Sequence, residues 1–101
     1  GVSAALITES GKIYTGICID VVCGLGFCAE HSAIAEMLKN GESQIKEILA
    51  VKESRENSVI SPCGRCRELM LQINPENKNT IVHLPKNQTA KLDILLPEHW
   101  L

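Results

Sequence analysis

Two cysteine-bearing segments place the strongest constraint on how this chain can fold: Cys28-Ala29-Glu30 and, well downstream, Pro62-Cys63-Gly64-Arg65-Cys66. Three thiols offer a metal ion three ligands and leave a fourth coordination position for water. The carboxylate of Glu30, two residues after the first thiol, is placed to move that water's proton. The two-residue gap between Cys63 and Cys66 lets one turn present both sulfurs to one ion. Cys28 must arrive from a separate helix, so such a site cross-links two helices. Both segments fall where a loop becomes a helix. There the positive end of the helix dipole and unpaired backbone N–H groups favour the thiolate. Three thiolates on a dication leave the centre net anionic and raise the pKa of bound water. Glu30 then carries a substantial share of the proton transfer, and the guanidinium of Arg65 or Arg67 offsets the excess charge.

The rest of the chain supplies a sheet for these helices. Residues 3–8 read as a strand, Glu9 to Lys12 as a tight turn around Gly11, and Ile13 to Asp20 as the returning hairpin strand. A glycine-bearing loop, Cys23 to Gly26, leads into the first cysteine segment. From Cys28 the period changes, and Ala29, Ala33, Ile34, Met37 and Leu38 share one helical face until Asn40-Gly41. Within 45–52, Ile48 to Val51 reads as a buried strand, followed by a polar stretch from Glu53 to Ser58. Val59-Ile60 runs into Ser61-Pro62, an entry to a second helix with proline near its start. Cys66, Leu69, Met70 and Ile73 keep helical spacing until Asn74-Pro75. Thr80 to Leu84 reads as a further strand, Lys86 to Thr89 as a turn, and 90–96 as either a strand or a short helix. The order ββαβαβ(β) specifies a mixed sheet covered by helices, an α/β sandwich formed as one domain over 1–101.

Composition narrows the functional classes. A length of 101 residues supports one modest core, and with 45% hydrophobic but only 3% aromatic residues that core is aliphatic. Ten basic against twelve acidic residues, a formal charge of −2, argue against a protein that grips nucleic acid. No apolar run is long enough to span a bilayer. Five cysteines form an odd count that does not fit a fully paired secreted framework. The expected compartment is a reducing cytoplasm, with Cys18 and Cys23 as small buried hydrophobes.

Each part of the site has a plainer reading. A glutamate in a helix's first turn is a favourable dipole partner whatever else it does. Cys-x-x-Cys at a helix start also suits a redox pair. His31, three residues after Cys28 on the same helix, could supply a fourth ligand and close the site into a structural centre. His83 and His99 read as ordinary surface or core histidines. Considered jointly, Cys-Ala-Glu followed by Pro-Cys-x-x-Cys is far more specific than any part and points to an open, catalytic metal position.

At these residues the chain resembles the cytidine deaminase superfamily. The resemblance runs from Val2-Ser-Ala-Ala-Leu6 through Gly11-Lys-Ile-Tyr-Thr-Gly16, Cys28-Ala-Glu30 and Ser61-Pro-Cys-Gly-Arg-Cys-Arg67 to Leu95-Leu-Pro97. Within the superfamily it is similar to the compact three-cysteine branch that includes cytidine deaminase and blasticidin S deaminase. Residues 61–67 are especially similar to the blasticidin enzyme.

The resemblance implies an α/β/α sandwich built on a mixed sheet, with zinc on Cys28, Cys63 and Cys66. It implies that Glu30 shuttles a proton from water to ring N3 and then helps expel ammonia from C4. By the same resemblance the Ala29 N–H and the Ser61 carbonyl hold the pyrimidine's edge. Branch members form homo-oligomers, typically tetramers, in which a residue such as Trp100 would close a neighbour's pocket.

Three departures qualify what the resemblance implies. Where the family binds ribose with Asn-x-Glu, this chain has Cys18-Ile19-Asp20. Asp20 remains a candidate substrate contact, but a thiol cannot replace asparagine's paired donor and acceptor. His31 stands where an arginine often follows Cys-Ala-Glu, which leaves Arg65 to supply compensating charge. The family's N-terminal helix has no counterpart before the first strand, so one sheet face is expected to be exposed and assembly weakened, to a dimer if the chain is truncated. The function so implied is zinc-dependent hydrolytic deamination of an aminopyrimidine nucleoside or analogue. The alternative is a non-catalytic deaminase fold whose structural zinc supports binding of a ligand or partner.

Overall fold

Alternation along the first strand decides which face of the sheet receives the helices. In the computed structural model, which describes residues 1–54, 56 and 58–101, Ala4, Leu6 and Thr8 of β1 (Val2–Thr8) are buried on one face. A turn with Gly11 at φ +89° returns the chain as β2 (Ile13–Ile17), which buries Tyr14 on that same face. There follow α1 (Ala29–Lys39), β3 (Ile45–Lys52), β4 (Ser58–Ile60), α2 (Gly64–Ile73) and a short 3-10 helix (Pro75–Asn79). The chain then completes β5 (Ile81–Leu84), β6 (Gln88–Lys91) and α3 (Leu92–Leu95). Among the described residues no helix is long and apolar enough to cross a membrane.

The sheet has the order β2-β1-β3-β5-β6. β1 pairs antiparallel with β2 and β3, β3 parallel with β5, and β5 antiparallel with β6. The far edge of β3 is shared: β5 takes Glu47 and Ile48, and β4 takes Ala50 to Lys52. This arrangement matters for the site. The chain leaves β4 at Ile60, opposite Ala50 in mid-sheet, and enters α2 there.

Leu6, Ile34, Met37, Ile45, Ile48, Met70, Val82 and Leu92, with Tyr14, form the aliphatic core expected of a chain so poor in aromatics. Burying each such side chain contributes roughly 1.5–3 kcal/mol. Beneath the cysteines the packing changes to small residues, Ala4, Ala29 and Ala50, flanked by Val2, Cys18 and Ile60. Small side chains let the start of α1 sit low on the sheet. Gly16 serves the same end: a Cβ there would lie 2.4 Å from the Ala33 nitrogen and 2.7 Å from the Ala29 carbonyl oxygen. All three helices contribute to this core on one face. Ala5, Ile7, Ile13, Ile17, Leu49 and Val51 alternate away from it, with Ile13 and Ile17 67% and 65% exposed. The mixed-sheet α/β fold is thus present, with one bare face of the kind expected.

Several local expectations need correction. The second hairpin strand ends at Ile17, not Asp20, because Ile19 leaves β1 and bridges to Phe27 instead. Val59-Ile60 is not merely a helix entry but part of β4, too short to show alternation. Pro62 precedes the second helix, whose N-cap is Cys63. Asn74-Pro75 ends α2 but opens a 3-10 turn, with the Asn74 side chain capping Glu76. Residues 88–95 are both a strand and a short helix. Leu38 is exposed rather than on the buried face, and Cys23 is exposed and Cys18 half-buried, so neither cysteine is a core hydrophobe. Of the polar stretch 53–58, residues 55 and 57 lie outside the described residues.

Candidate active site

The two long helices begin alike. Cys28 caps α1 at φ −71°, ψ 154° and Cys63 caps α2 at φ −69°, ψ 167°, and neither thiol caps its helix through a side-chain hydrogen bond. A residue at the N-cap and one three positions later share one side of the first turn. That geometry pairs Cys63 with Cys66, sulfur to sulfur 3.4 Å, and aligns Cys28 with His31. Between the helices, Cys28 Sγ lies 3.3 Å from Cys63 Sγ, and His31 Nδ1 lies 3.4 Å from Cys66 Sγ.

These donors form two overlapping sets. Cys28, His31 and Cys66 lie within 4.8 Å of one another, and Cys28, Cys63 and Cys66 form a triangle of thiols on the same Cys28–Cys66 edge. Tetrahedral zinc with bonds of about 2.3 Å separates its sulfurs by roughly 3.8 Å, so the Cys28–Cys63 and Cys63–Cys66 edges, at 3.3 and 3.4 Å, reach that spacing by opening a few tenths of an ångström.

The thiols are not equivalent. Burial, with Glu30 and the neighbouring sulfurs adding to it, pushes the Cys66 thiol strongly upward. Burial also raises Cys28, reinforced by the Cys63 thiol. At Cys63 burial acts in the same upward direction. It is outweighed by the backbone N–H groups of Cys66 and Arg65 and by the two other thiols, so Cys63 is lowered. The backbone N–H groups at the start of α2 thus act with the neighbouring thiols to lower Cys63, while burial raises Cys66. Burial, then the positive charge of Arg65, lowers His31 against the opposing pull of Glu30.

A cleft of about 420 Å³ opens over this cluster. The candidate residues Asp20, Cys28, Ala29, Glu30, Ser61, Cys63 and Arg65 all line it, while Cys66 is fully buried behind. Glu30 is only 4% exposed yet borders the cleft. One wall is the loop 18–27. It turns at Cys23 (φ +62°) and Gly24 (φ +67°) and is closed by the Ile19–Phe27 bridge. Gly26 permits that closure, since a Cβ there would meet the Ile19 carbonyl oxygen at 2.2 Å. Cys18 is fixed in the wall: the Val2 N–H donates to its sulfur at 3.2 Å, and its thiol donates to Asp20 Oδ2 at 3.5 Å.

The two arginines separate in role. Arg65 is exposed and lines the cleft, whereas Arg67 gives its hydrogen bonds to the carbonyls of Pro62 and Leu95. Nothing in the local sequence distinguished these two uses of arginine, because the Leu95 contact lies 28 residues away.

The fold is a small α/β domain whose two helix starts gather three thiols into one cluster, with Cys28, Cys63 and the Glu30 carboxylate bordering one cleft. Residues 1–83 match the family model described as the cytidine and deoxycytidylate deaminase zinc-binding region, and the chain belongs to that family. Blasticidin-S deaminase of Bacillus cereus is 35% identical over 82 residues, which cover 74% of this chain and 59% of that protein. The crystal structure of cytidine deaminase from Mycobacterium tuberculosis aligns with a TM-score of 0.84 at 27% identity, over 99% of this chain and 78% of that one. The Bacillus anthracis cytidine deaminase structure gives 0.81 at 30% identity, over 99% and 74%. The chain thus spans about three fifths of the curated blasticidin-S deaminase that it matches.

Proposed function

We propose that residues 1–101 form a zinc-dependent deaminase domain that hydrolyses the exocyclic C–N bond of an aminopyrimidine nucleoside or nucleoside analogue. The observation that carries this reading is that Glu30 borders the same cleft as the thiols of Cys28 and Cys63. Cys28, Cys63 and Cys66 would hold the zinc, which when bound would supply Lewis-acid activation of water.

The remaining work falls to the chain. Glu30 accepts one proton from the attacking water and delivers it to ring N3; it then takes the proton of the hydroxyl newly bonded to C4 and gives it to the leaving amine, so that the C–N bond breaks and the products are a ring carbonyl and ammonia. Its near-complete burial keeps the carboxylate in place between these steps. The Ala29 N–H and the Ser61 carbonyl hold the pyrimidine edge, Asp20 contacts the substituent on the ring, and Arg65 offsets the charge of three thiolates. The reaction class follows the family, and the names of the relatives favour cytidine or blasticidin S as substrates. The cytoplasm and a homo-oligomeric assembly, a tetramer or a dimer, complete the proposal.

The decisive experiment measures ammonia release from zinc-loaded protein with cytidine, deoxycytidine, cytosine and blasticidin S, using Glu30→Gln as control. We expect turnover of at least one compound, with kcat reduced about 10²–10⁴-fold in the variant at unchanged zinc content. Equal turnover by both proteins would refute the role of Glu30.

One observation favours a second reading. With His31 Nδ1 3.4 Å from Cys66 Sγ, the imidazole could complete a closed, structural centre in a non-catalytic protein. Cobalt substitution separates the two: an open site changes its visible spectrum when a small anion is added, and a closed one does not.

A further inference from the structure

We propose that Arg67 is a positioning residue that locks the Cys63 loop to the C-terminal turn, so that metal retention depends on a guanidinium bonded to carbonyls. The proposal rests on the metal reading of the three thiols. The orientation of Cys63 is set by the peptide that joins it to Pro62, and the Arg67 side chain holds that peptide by its oxygen: Nε donates to the Pro62 carbonyl at 2.8 Å. The backbone N–H of Arg67 makes the first helical bond of α2, to the Cys63 carbonyl at 3.1 Å, as any residue there would. The other arm of the guanidinium, Nη1, donates to the Leu95 carbonyl at 2.9 Å. Leu95 ends α3, and α3 is itself anchored: Leu92 is fully buried, and its N–H donates to the Thr80 carbonyl at 3.0 Å.

A continuous path therefore runs from the core through α3 and Arg67 to the backbone of a metal ligand. The carbonyl of Leu95 lies in the last turn of its helix and needs an outside donor. The planar guanidinium holds Nε–H and Nη1–H in fixed directions toward two carbonyls from different segments; a lysine ammonium also has several donors, but they sit at one point on a flexible stem. Because Arg67 couples two elements, the coupling must act in both directions. Fixing Cys63 with a metal ion should tighten α3, and loosening the Arg67 link should weaken the metal.

The test uses Arg67→Lys and Arg67→Gln in the full chain, with Glu68→Gln as a control. Glu68 sits beside Arg67 on α2 and also holds the C-terminal segment, accepting the Trp100 N–H at 3.0 Å, without bonding to the Pro62 loop. Zinc affinity is read by competition with a chromophoric chelator, and amide hydrogen exchange over 92–95 is followed with and without zinc. We expect Arg67→Gln to weaken zinc about 10–100-fold, the range found for residues that orient metal ligands, and to abolish the zinc-dependent protection of α3. Arg67→Lys should recover part of both, and Glu68→Gln should match wild type. Should Arg67→Gln fail to fold, Arg67→Lys still reads the coupling. A folded Arg67 variant with wild-type zinc affinity would overturn the proposal and leave Arg67 as a fold stabiliser only. A wild-type chain that takes up no zinc would instead overturn the metal reading itself.

Discussion

The starts of α1 and α2 are built on one pattern and put to opposite uses. Each places a thiol at the N-cap, a second donor three residues on, and a charged residue between: Cys28, Glu30 and His31 on α1, and Cys63, Arg65 and Cys66 on α2. The difference is depth. Ala29 and Glu30 are buried against the sheet, whereas Cys63, Gly64 and Arg65 are exposed. In the proposed mechanism, depth suits each residue to its role. A carboxylate that must hand over protons benefits from a fixed, water-poor position, and a guanidinium that only balances charge can stand at the surface. Depth also divides the two thiols within α2: the buried Cys66 is raised and the exposed Cys63 lowered.

The sharpest way to break this comparison is at the third helical position, where one helix has cysteine and the other histidine. Cys66→Ser should lose stoichiometric zinc and all deaminase activity, while His31→Gln should keep one zinc per chain. Metal analysis after dialysis checks both. Zinc lost equally from the two variants would show that His31 is a ligand and the site closed.

At the second position the charges oppose each other, and their effects should be unequal. Against the loss of 10²–10⁴-fold in kcat set out above for Glu30→Gln, Arg65→Gln should lower kcat by less than about tenfold. An exposed charge acts through solvent and is screened by it. Steady-state kinetics at two ionic strengths would test this, since screening predicts a salt-sensitive effect for Arg65 and none for Glu30.

Depth itself can be tested with two glycines. Gly16 lies directly under α1, and the alanine methyl would have to displace backbone at 2.4 Å. Gly64, at the first position of α2, has nothing within 4 Å of an added Cβ. Gly16→Ala should destabilise by roughly 1–3 kcal/mol, about 4–8 °C in Tm for each kcal/mol. Gly64→Ala should be neutral or stabilising by up to about 1 kcal/mol. Thermal unfolding of the two variants checks the contrast, and equal losses would mean that the turns are equally buried.

What the sequence made legible follows the same division. Cys28, Glu30, Cys63 and Cys66 could be read because spacing within a helical turn fixes which side chains meet, and the mixed sheet because its strands alternate. The structure brings the candidate residues to one cluster and cleft, Cys28 meeting Cys63 across 35 residues as expected when the two motifs are read as parts of one site. Contacts with distant chain that belong to no motif were not legible. Arg67 reaching Leu95, Cys18 held by the Val2 N–H, and Gly16 pressed by Ala33 span 28, 16 and 17 residues of sequence, and no local pattern announces them. β4 escaped because three residues carry no period, and Leu38 misled because a helix stripe drawn too wide includes its exposed flank.

The far ends of the two helices offer the finest comparison. The exit of α2 is tied by Asn77, fully buried, whose amide donates to the Met70 and Ser43 carbonyls and accepts from the Ile45 N–H at 2.8 Å. The exit of α1 is tied by Glu42, which accepts from the hydroxyls of Ser10 and Tyr14. One tie carries a titratable proton and the other does not. The Ser10 hydroxyl foremost, with Tyr14, Thr8 and Lys12, outweighs burial and holds the Glu42 carboxyl below its ordinary 4.5. A depressed carboxylate stabilises the fold fully above the unfolded-state value and loses that contribution as pH falls through the lower, folded value. The stability difference between wild type and Glu42→Gln should therefore be constant above about pH 5 and shrink as the carboxyl protonates below it. Asn77→Ala leaves a buried N–H unpaired, at a cost of about 1–3 kcal/mol, and its deficit should not vary over the same range. Urea unfolding from pH 7 to pH 3 reads both. A pH-independent deficit for Glu42→Gln would show that its hydroxyl partners hold the protonated acid as firmly as the carboxylate, and the two helix exits would then be equivalent.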